Sequence, residues 1–100
     1  IPTLIFDEVD SGVGGAVSAA VGNRLKKLGV NQQVLVVTHS PQVAAIGDNH
    51  WQISKKEEDS PITIANHLKG EARVEEIGRM LSGEKITAEA RSAALKLMEG

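Results

Sequence analysis

Two apolar runs, each followed at once by side chains that can do chemistry, constrain the fold of this chain most strongly. Residues 4–6 precede Asp7 and Glu8, and residues 34–37 are followed closely by His39. Consecutive apolar positions predict strands that are buried on both faces, as in the middle of a parallel sheet. Because parallel strands joined by a right-handed crossover end at the same edge, we expect both acids and the imidazole to meet there.

The rest of the chain predicts an α/β fold of one partial domain, residues 1–100. The pattern indicates strands at 3–8 and 33–38, helices at 15–28 and 41–47, a strand pair at 50–55 and 61–68, and helices at 71–81 and 87–99. The helical positions expected to face inward are Val17, Ala20, Val21, Leu25 and Leu28, then Val74, Ile77 and Leu81, and finally Ala90, Ala94, Leu95 and Met98. Thr87 is the expected N-cap of the last helix. This order predicts a sheet that is parallel at first and includes a hairpin later.

The composition limits the functions that the chain supports. Of its 100 residues 41% are apolar, the net charge is −2, and there is no cysteine. A free-standing nucleic-acid-binding domain is usually basic, so this charge argues against DNA binding by this segment alone. Without cysteine there is no disulfide or thiolate metal site, and the apolar runs are too short to cross a membrane.

The beginning of the chain predicts a piece of a longer protein. Ile1 and Pro2 lead into a strand at once, without a methionine. The alternative is a processed form of a complete small protein. If a covering lobe is missing, exposed apolar side chains of residues 34–37 and of the 17–28 helix favour self-association.

The acids at the end of the first strand suit a magnesium-dependent phosphate site. Asp7 can hold Mg²⁺ directly or through water, because one or two carboxylates suffice when phosphates supply the other oxygens. Glu8 can take a proton from, or orient, the water that attacks a γ-phosphate. His39 can donate a hydrogen bond to that phosphate. The alternative is that the acids only solvate a strand end and that His39 is an ordinary loop histidine.

A glycine-rich loop follows the acids. Residues 10–15 begin with Asp10 and contain three glycines, which permit tight turns and close approach of another backbone. The alternative is a flexible connector. No Gly-x-x-x-x-Gly-Lys-Ser/Thr phosphate loop occurs, so the chain carries half of an ATPase site. His50 and His67 show no metal-ligand spacing with His39, and we assign them no metal role.

Three segments together resemble a family of bacterial ATPases. Residues 4–15 read LIFDEVDSGVGG, residues 36–45 read VVTHSPQVAA, and residues 76–83 read EIGRMLSG. The order of these segments resembles the second half of an ABC-type P-loop NTPase head. Their residues are similar to those of the SMC-like RecN family of DNA repair ATPases. The resemblance implies a Walker B strand, a D-loop and an H-loop, with the Walker A and signature motifs outside this sequence.

The resemblance also implies roles for the site residues. Asp7 would be the magnesium-supporting acid, Glu8 the catalytic carboxylate, Asp10 the D-loop residue that communicates between heads, and His39 the γ-phosphate switch. ATP and Mg²⁺ are the implied cofactors of the intact protein, and the isolated chain is expected to be inactive. The implied partners are the N-terminal lobe with its coiled coil, a second head and DNA, in the cytoplasm at the nucleoid and away from membranes.

Two other function classes stay open. A small Mg²⁺-dependent phosphohydrolase would use Asp7 and Asp10 as its acid pair, although no lysine lies near either strand end to hold a phosphoryl group. A non-enzymatic interaction module would contact DNA phosphates through its basic side chains, at Lys55, Lys56, Arg73 and Arg79. Acidic residues beside them, at 57–59 and 75–76, favour a mixed and solvated face instead.

Overall fold

The computed structural model describes residues 2–56, 62–83 and 85–99, and their elements follow the order that the sequence predicts. They are β1 (Thr3–Asp7), α1 (Gly15–Leu28), β2 (Gln33–Val37), α2 (Pro41–Ile46), β3 (His50–Lys56), β4 (Ile62–Leu68), α3 (Glu71–Ser82) and α4 (Ala88–Glu99). The acidic residues 57–59 lie outside the described residues. The predicted α/β fold, with parallel strands, a hairpin and two final helices, is confirmed. Within the described residues, no helix is long and apolar enough to span a bilayer.

Strands β1 and β2 pair in parallel, in a register that runs from Thr3 opposite Gln33 to Asp7 opposite Val37. On one face of the pair, the alternate apolar side chains are half-buried. The other face is open: Ile5 is 69% exposed, and Leu35 is 47% exposed. Burial on both faces, which the apolar runs predict, is therefore absent from the described chain.

The hairpin forms a second sheet rather than extending the first. Strands β3 and β4 pair antiparallel, and the described strands make two separate two-stranded sheets. Trp51 stacks on His67 across the hairpin, with ring centroids 4.6 Å apart, on a face where Trp51 is 56% exposed. The opposite face meets α3, where Gln52 donates a hydrogen bond to the buried carboxylate of Glu76.

Helix α1 buries only part of the face that its apolar stripe predicts. Leu25 is buried and Val21 is half-buried as expected, whereas Ala20 is exposed, Val17 is 54% exposed and Leu28 is 43% exposed. The other buried positions are Ser18 and Gly22. The reason lies at Gly22, where the absence of a side chain lets α2 approach closely. A Cβ at that position would lie 2.9 Å from Cδ1 of Ile46.

The core lies among the helices. Ala45 of α2, Ile77 of α3 and Ala94 of α4 form its buried centre, with Ile77 and Ala94 fully excluded from solvent. The partly buried side chains packed against it are Val74, Leu81, Leu97 and Met98. Leu95, expected to face inward, is 50% exposed. Thr87 caps α4 as predicted, because its Oγ1 accepts a hydrogen bond from the Ala90 amide across 3.0 Å.

Candidate functional site

The backbone turns sharply directly after β1. Glu8 has φ of 53°, the one positive φ among the described non-glycine residues. Its amide continues the β1–β2 ladder by donating to the Val37 carbonyl across 2.7 Å, and its carbonyl accepts from the Ser11 amide across 3.0 Å. A left-handed conformation at a residue with a Cβ costs about 1–3 kcal/mol and is concentrated at functional sites. The turn ends β1, and Glu8 lines the cleft that lies beside the strand end.

Glu8 and His39 lie in direct contact. Nδ1 of His39 and Oε1 of Glu8 are within hydrogen-bond distance, although 31 positions separate the two residues in the sequence. The parallel register creates this contact, since it places the residues that follow β1 next to those that follow β2. The His39 side chain is 90% exposed and that of Glu8 is 41% exposed, so both remain open to a ligand.

Asp10 is held by the loop that carries His39. The Asp10 residue is only 5% exposed, and its Oδ2 accepts a hydrogen bond from Oγ1 of Thr38 across 2.6 Å. The same Thr38 oxygen accepts from the Ser40 amide across 2.9 Å. A buried carboxylate requires such partners because desolvation without them is costly. The glycine-rich loop and the histidine loop are thus joined through one hydroxyl group.

Helix α2 begins at the same place. Ser40 is its N-cap, with Oγ accepting from the Val43 amide across 3.4 Å, and Pro41 occupies the first turn. The Ser40 hydroxyl also donates to Oε1 of Gln42 across 3.0 Å. The Gln42 amide nitrogen lies close to the start of α1, where a Cβ on Gly15 would be 3.3 Å from it.

These residues line an open cleft of about 460 Å³. Its walls come from the loop after β1, the start of α1, residues 39–42, and Met80 and Leu81 of α3. Helix α1 begins at Gly15 in this wall, with no side chain capping its N-terminus and no acidic residue in its first turn. The free N–H groups of such a helix start attract anions. The cleft therefore combines anion-attracting backbone with a carboxylate and an imidazole.

Asp7 differs from Glu8 and Asp10 in that it does not line the cleft. It is exposed at the end of β1, one residue before Glu8. In the part of the chain that the structure describes, no three His, Asp or Glu side chains converge as metal ligands. A single accessible carboxylate fits Mg²⁺ when phosphates and waters supply the remaining oxygens. The phosphohydrolase alternative would use Asp7 and Asp10 as an acid pair. These two carboxylates have different environments, because Asp10 is buried against Thr38 and Asp7 is exposed.

Sequence reasoning did not assign roles to Thr38, Ser40 and Gln42. A serine directly before a proline is a recognisable helix-start signal, and it could have identified Ser40 as the cap of α2. The contact between Thr38 and Asp10 has no local sequence signal, because it depends on the strand register.

The chain is similar to curated bacterial proteins over almost its whole length. It is 50% identical to the DNA repair protein RecN of Xylella fastidiosa, 47% identical to that of Deinococcus radiodurans and 42% identical to that of Halalkalibacterium halodurans, each over 100 residues. Over this length the chain is similar in sequence to one segment of RecN. The alignments cover 99% of the chain but only 18% of each RecN protein. No family model matches the sequence.

A solved structure supports the same fold. It belongs to a study of the ATP-driven dimerization and DNA-stimulated activation of SMC ATPases, and it matches with a TM-score of 0.66 at 19% sequence identity. The match covers 85% of this chain and 51% of the other chain. At this identity the likeness establishes a shared α/β fold. The similarity to RecN comes from the sequence comparison.

Proposed function

We propose that this chain forms part of an ATP-hydrolysing head in an SMC-like DNA repair protein of the RecN type. The observation that carries the proposal is the contact between Glu8 and His39 at the edge of the cleft. A carboxylate and an imidazole at the carboxyl ends of adjacent parallel strands suit the hydrolysis of a phosphoanhydride such as ATP. The similarity to RecN adds the biological process, DNA repair, and the structural similarity to an SMC ATPase adds the nucleotide.

Each side chain has a separate task in this proposal. Glu8, which lines the cleft, accepts a proton from the attacking water or orients that water. His39 contacts the γ-phosphate through the ring nitrogen that does not face Glu8. Asp10 fixes the glycine-rich loop, whose outer surface faces a second head. Asp7 supports the magnesium ion from the end of β1.

ATP and Mg²⁺ are the proposed cofactors, and the ion would neutralise charge that develops on the phosphates. Phosphoryl transfer asks little covalent chemistry of the protein, so positioning and electrostatics provide most of the rate enhancement. This chain contributes positioning from one side only. The phosphate-binding loop would come from the N-terminal lobe of the intact protein, and the 100-residue chain by itself has no turnover in this proposal.

The proposed partners follow from the same assignment. A second head closes over the nucleotide, the N-terminal lobe and its coiled coil complete the protein, and DNA is engaged by the intact molecule at the nucleoid. The exposed His39 ring and the open cleft are compatible with completion of the site by other segments.

The decisive experiment replaces Glu8 with glutamine in the intact protein that carries this chain. Glu8→Gln keeps the size of the side chain and removes its basicity, so we expect a loss of ATP turnover of about 100-fold or more. We also expect ATP-bound heads to accumulate as dimers, measured by size-exclusion chromatography with ATP. Glu89→Gln, an equivalent change at an exposed position of α4, is the matched control and should leave turnover intact. Unimpaired turnover in Glu8→Gln would exclude Glu8 as the base.

A further inference from the structure

Thr38 joins the loop after β2 to the buried Asp10 of the loop after β1 through its side chain. Its hydroxyl donates to Asp10 across 2.6 Å and accepts from the Ser40 amide across 2.9 Å. A threonine hydroxyl has one donor and two acceptor sites, so these bonds use its only donor. The Asp10 residue is only 5% exposed, so water cannot easily take the place of its carboxylate as the hydrogen-bond partner of Thr38.

His39 stands between the two ends of this connection. The hydrogen bond from the Ser40 amide to the Thr38 hydroxyl spans His39 and closes a tight turn around it. The His39 side chain is 90% exposed, and its hydrogen-bond contact is with Glu8. Packing therefore does little to fix the ring, and the backbone on either side of it decides where the imidazole lies.

We propose that Thr38 is the positioning residue that holds His39 against Glu8, and that it does so by tying the His39 loop to Asp10. The inference rests on the proposed function for its consequence in catalysis, but the positioning itself is measurable without nucleotide. Movement of the Asp10 loop reaches His39 through this hydroxyl, so the two loops move together. A misplacement of about 1 Å in a catalytic group costs on the order of 100-fold in rate.

The test compares Thr38→Val with Thr38→Ser in the intact protein. Valine matches threonine in shape but has no hydroxyl, whereas serine keeps the hydroxyl and loses a methyl group. We expect Thr38→Val to lower kcat for ATP by about 10- to 100-fold with a smaller change in KM, and Thr38→Ser to keep most of the rate. Hydrogen exchange of the segment spanning residues 36–43 should accelerate at the Ser40 amide in Thr38→Val and stay slow in Thr38→Ser.

The outcomes separate this inference from the proposed function. If Glu8→Gln abolishes turnover while Thr38→Val keeps both the parent rate and slow exchange at Ser40, the positioning role is wrong and the ATPase role stands. If the unmodified intact protein shows no ATP turnover, the ATPase role fails, and the exchange measurement alone judges the positioning role. If Thr38→Val does not fold, Thr38→Ala removes the same hydroxyl and carries the comparison. Equal loss of rate in Thr38→Ser and Thr38→Val would also overturn the role, because serine retains the hydroxyl.

Discussion

Arg73 of α3 donates a hydrogen bond from its guanidinium group to the carbonyl oxygen of Gly47 across 2.5 Å. The same nitrogen lies 3.0 Å from the carbonyl oxygen of Ala44 and 3.3 Å from that of Ala45. These carbonyls end α2, and the last carbonyls of a helix have no partner within the helix. A side chain from α3 therefore caps α2 and fixes its far end, while its near end borders the cleft at Ser40.

Replacing Arg73 with methionine removes this cap and should destabilise the chain. Hydrogen bonds from charged donors contribute about 1.5–3 kcal/mol, and Arg73→Met should lower the free energy of unfolding by a similar amount. The stability of Arg73→Lys should lie between that of the unmodified chain and that of Arg73→Met, because an ammonium group lacks the planar fork of donors. Urea denaturation of the chain measures the effect. Arg24→Met, at an exposed position of α1, is the control, and an equal loss there would contradict the capping role.

The close approach of α1 and α2 at Gly22 predicts a difference between two glycine substitutions. An alanine Cβ at Gly22 would lie 2.9 Å from Cδ1 of Ile46 and 3.4 Å from Cα of Val43. At Gly78, the nearest atom to the new Cβ would be Cγ2 of Ile86 at 3.4 Å, an ordinary contact. Both changes improve helix propensity by about 1 kcal/mol, so their difference isolates the packing.

We expect Gly22→Ala to be less stable than Gly78→Ala by about 0.5–1.5 kcal/mol, because Cδ1 of Ile46 is the end of a flexible side chain and moving that side chain off its rotamer costs this order of free energy. Parallel thermal melts of the two variants measure the difference. Equal stabilities would show that Ile46 adjusts freely and that Gly22 does not set the helix separation.

His50 should make the stability of the chain depend on pH. Burial lowers the pKa of His50 below its ordinary value of 6.5, and the charge of Arg73 lowers it further, while Glu76 acts in the opposite direction. The folded chain therefore favours the neutral imidazole, and the unfolded chain binds more protons between the two pKa values. The stabilisation is present above pH 6.5 and is lost as the pH falls from 6.5 through the folded-state pKa.

Urea denaturation between pH 5 and about 8 checks this expectation, because that range brackets the ordinary histidine titration. His50→Gln should flatten the loss of stability on the acidic side. His67→Gln, which changes an exposed histidine on β4, should leave the pH dependence of stability unchanged. A pH dependence that survives His50→Gln unchanged would assign the effect to another group.

The contact between Glu8 and His39 predicts that their substitutions are not additive. Substitutions at two side chains in contact are not additive, because removing either side chain already breaks the interaction between them. In the intact protein, we expect Glu8→Gln and His39→Gln each to reduce ATP turnover strongly. The double variant should lose little more than the worse single variant. If the fold-loss of turnover in the double variant equals the product of the two single fold-losses, the residues act independently.

Much of the fold follows from local sequence patterns. The predicted helix at 15–28 agrees with Gly15–Leu28, and the Thr87 cap lies where the sequence indicates. These features depend on neighbouring residues, such as glycine beyond a helix end or threonine before a helix start. The meeting of Glu8 with His39 also follows from sequence, since it requires only two parallel strands in register.

The remaining features depend on contacts between distant segments. The buried face of α1 could not be read from its apolar stripe, because the open position at Gly22 rather than apolarity decides which face meets α2. The turn at Glu8 could not be read from the apolar run either, because it needs a positive φ that glutamate rarely adopts. Strand alternation predicts that Asp7 and Glu8 point to opposite sides of the strand end, and of the two only Glu8 lines the cleft.

The open face of the β1–β2 pair predicts that the isolated chain associates with itself. Ile5, Leu35 and Val37 are 69%, 47% and 52% exposed, and together they form an apolar surface on adjacent strands. Burial of such a surface is favourable by about 25 cal/mol per Å², so a second copy can cover it when other segments do not. We expect sedimentation of the chain to show dimers or larger species at micromolar concentration. Leu35→Lys should shift them toward monomer, whereas Asn23→Lys, which adds the same charge at an exposed position of α1, should not. A monomer in the unmodified chain, or an equal shift in both variants, would show that this face does not drive association.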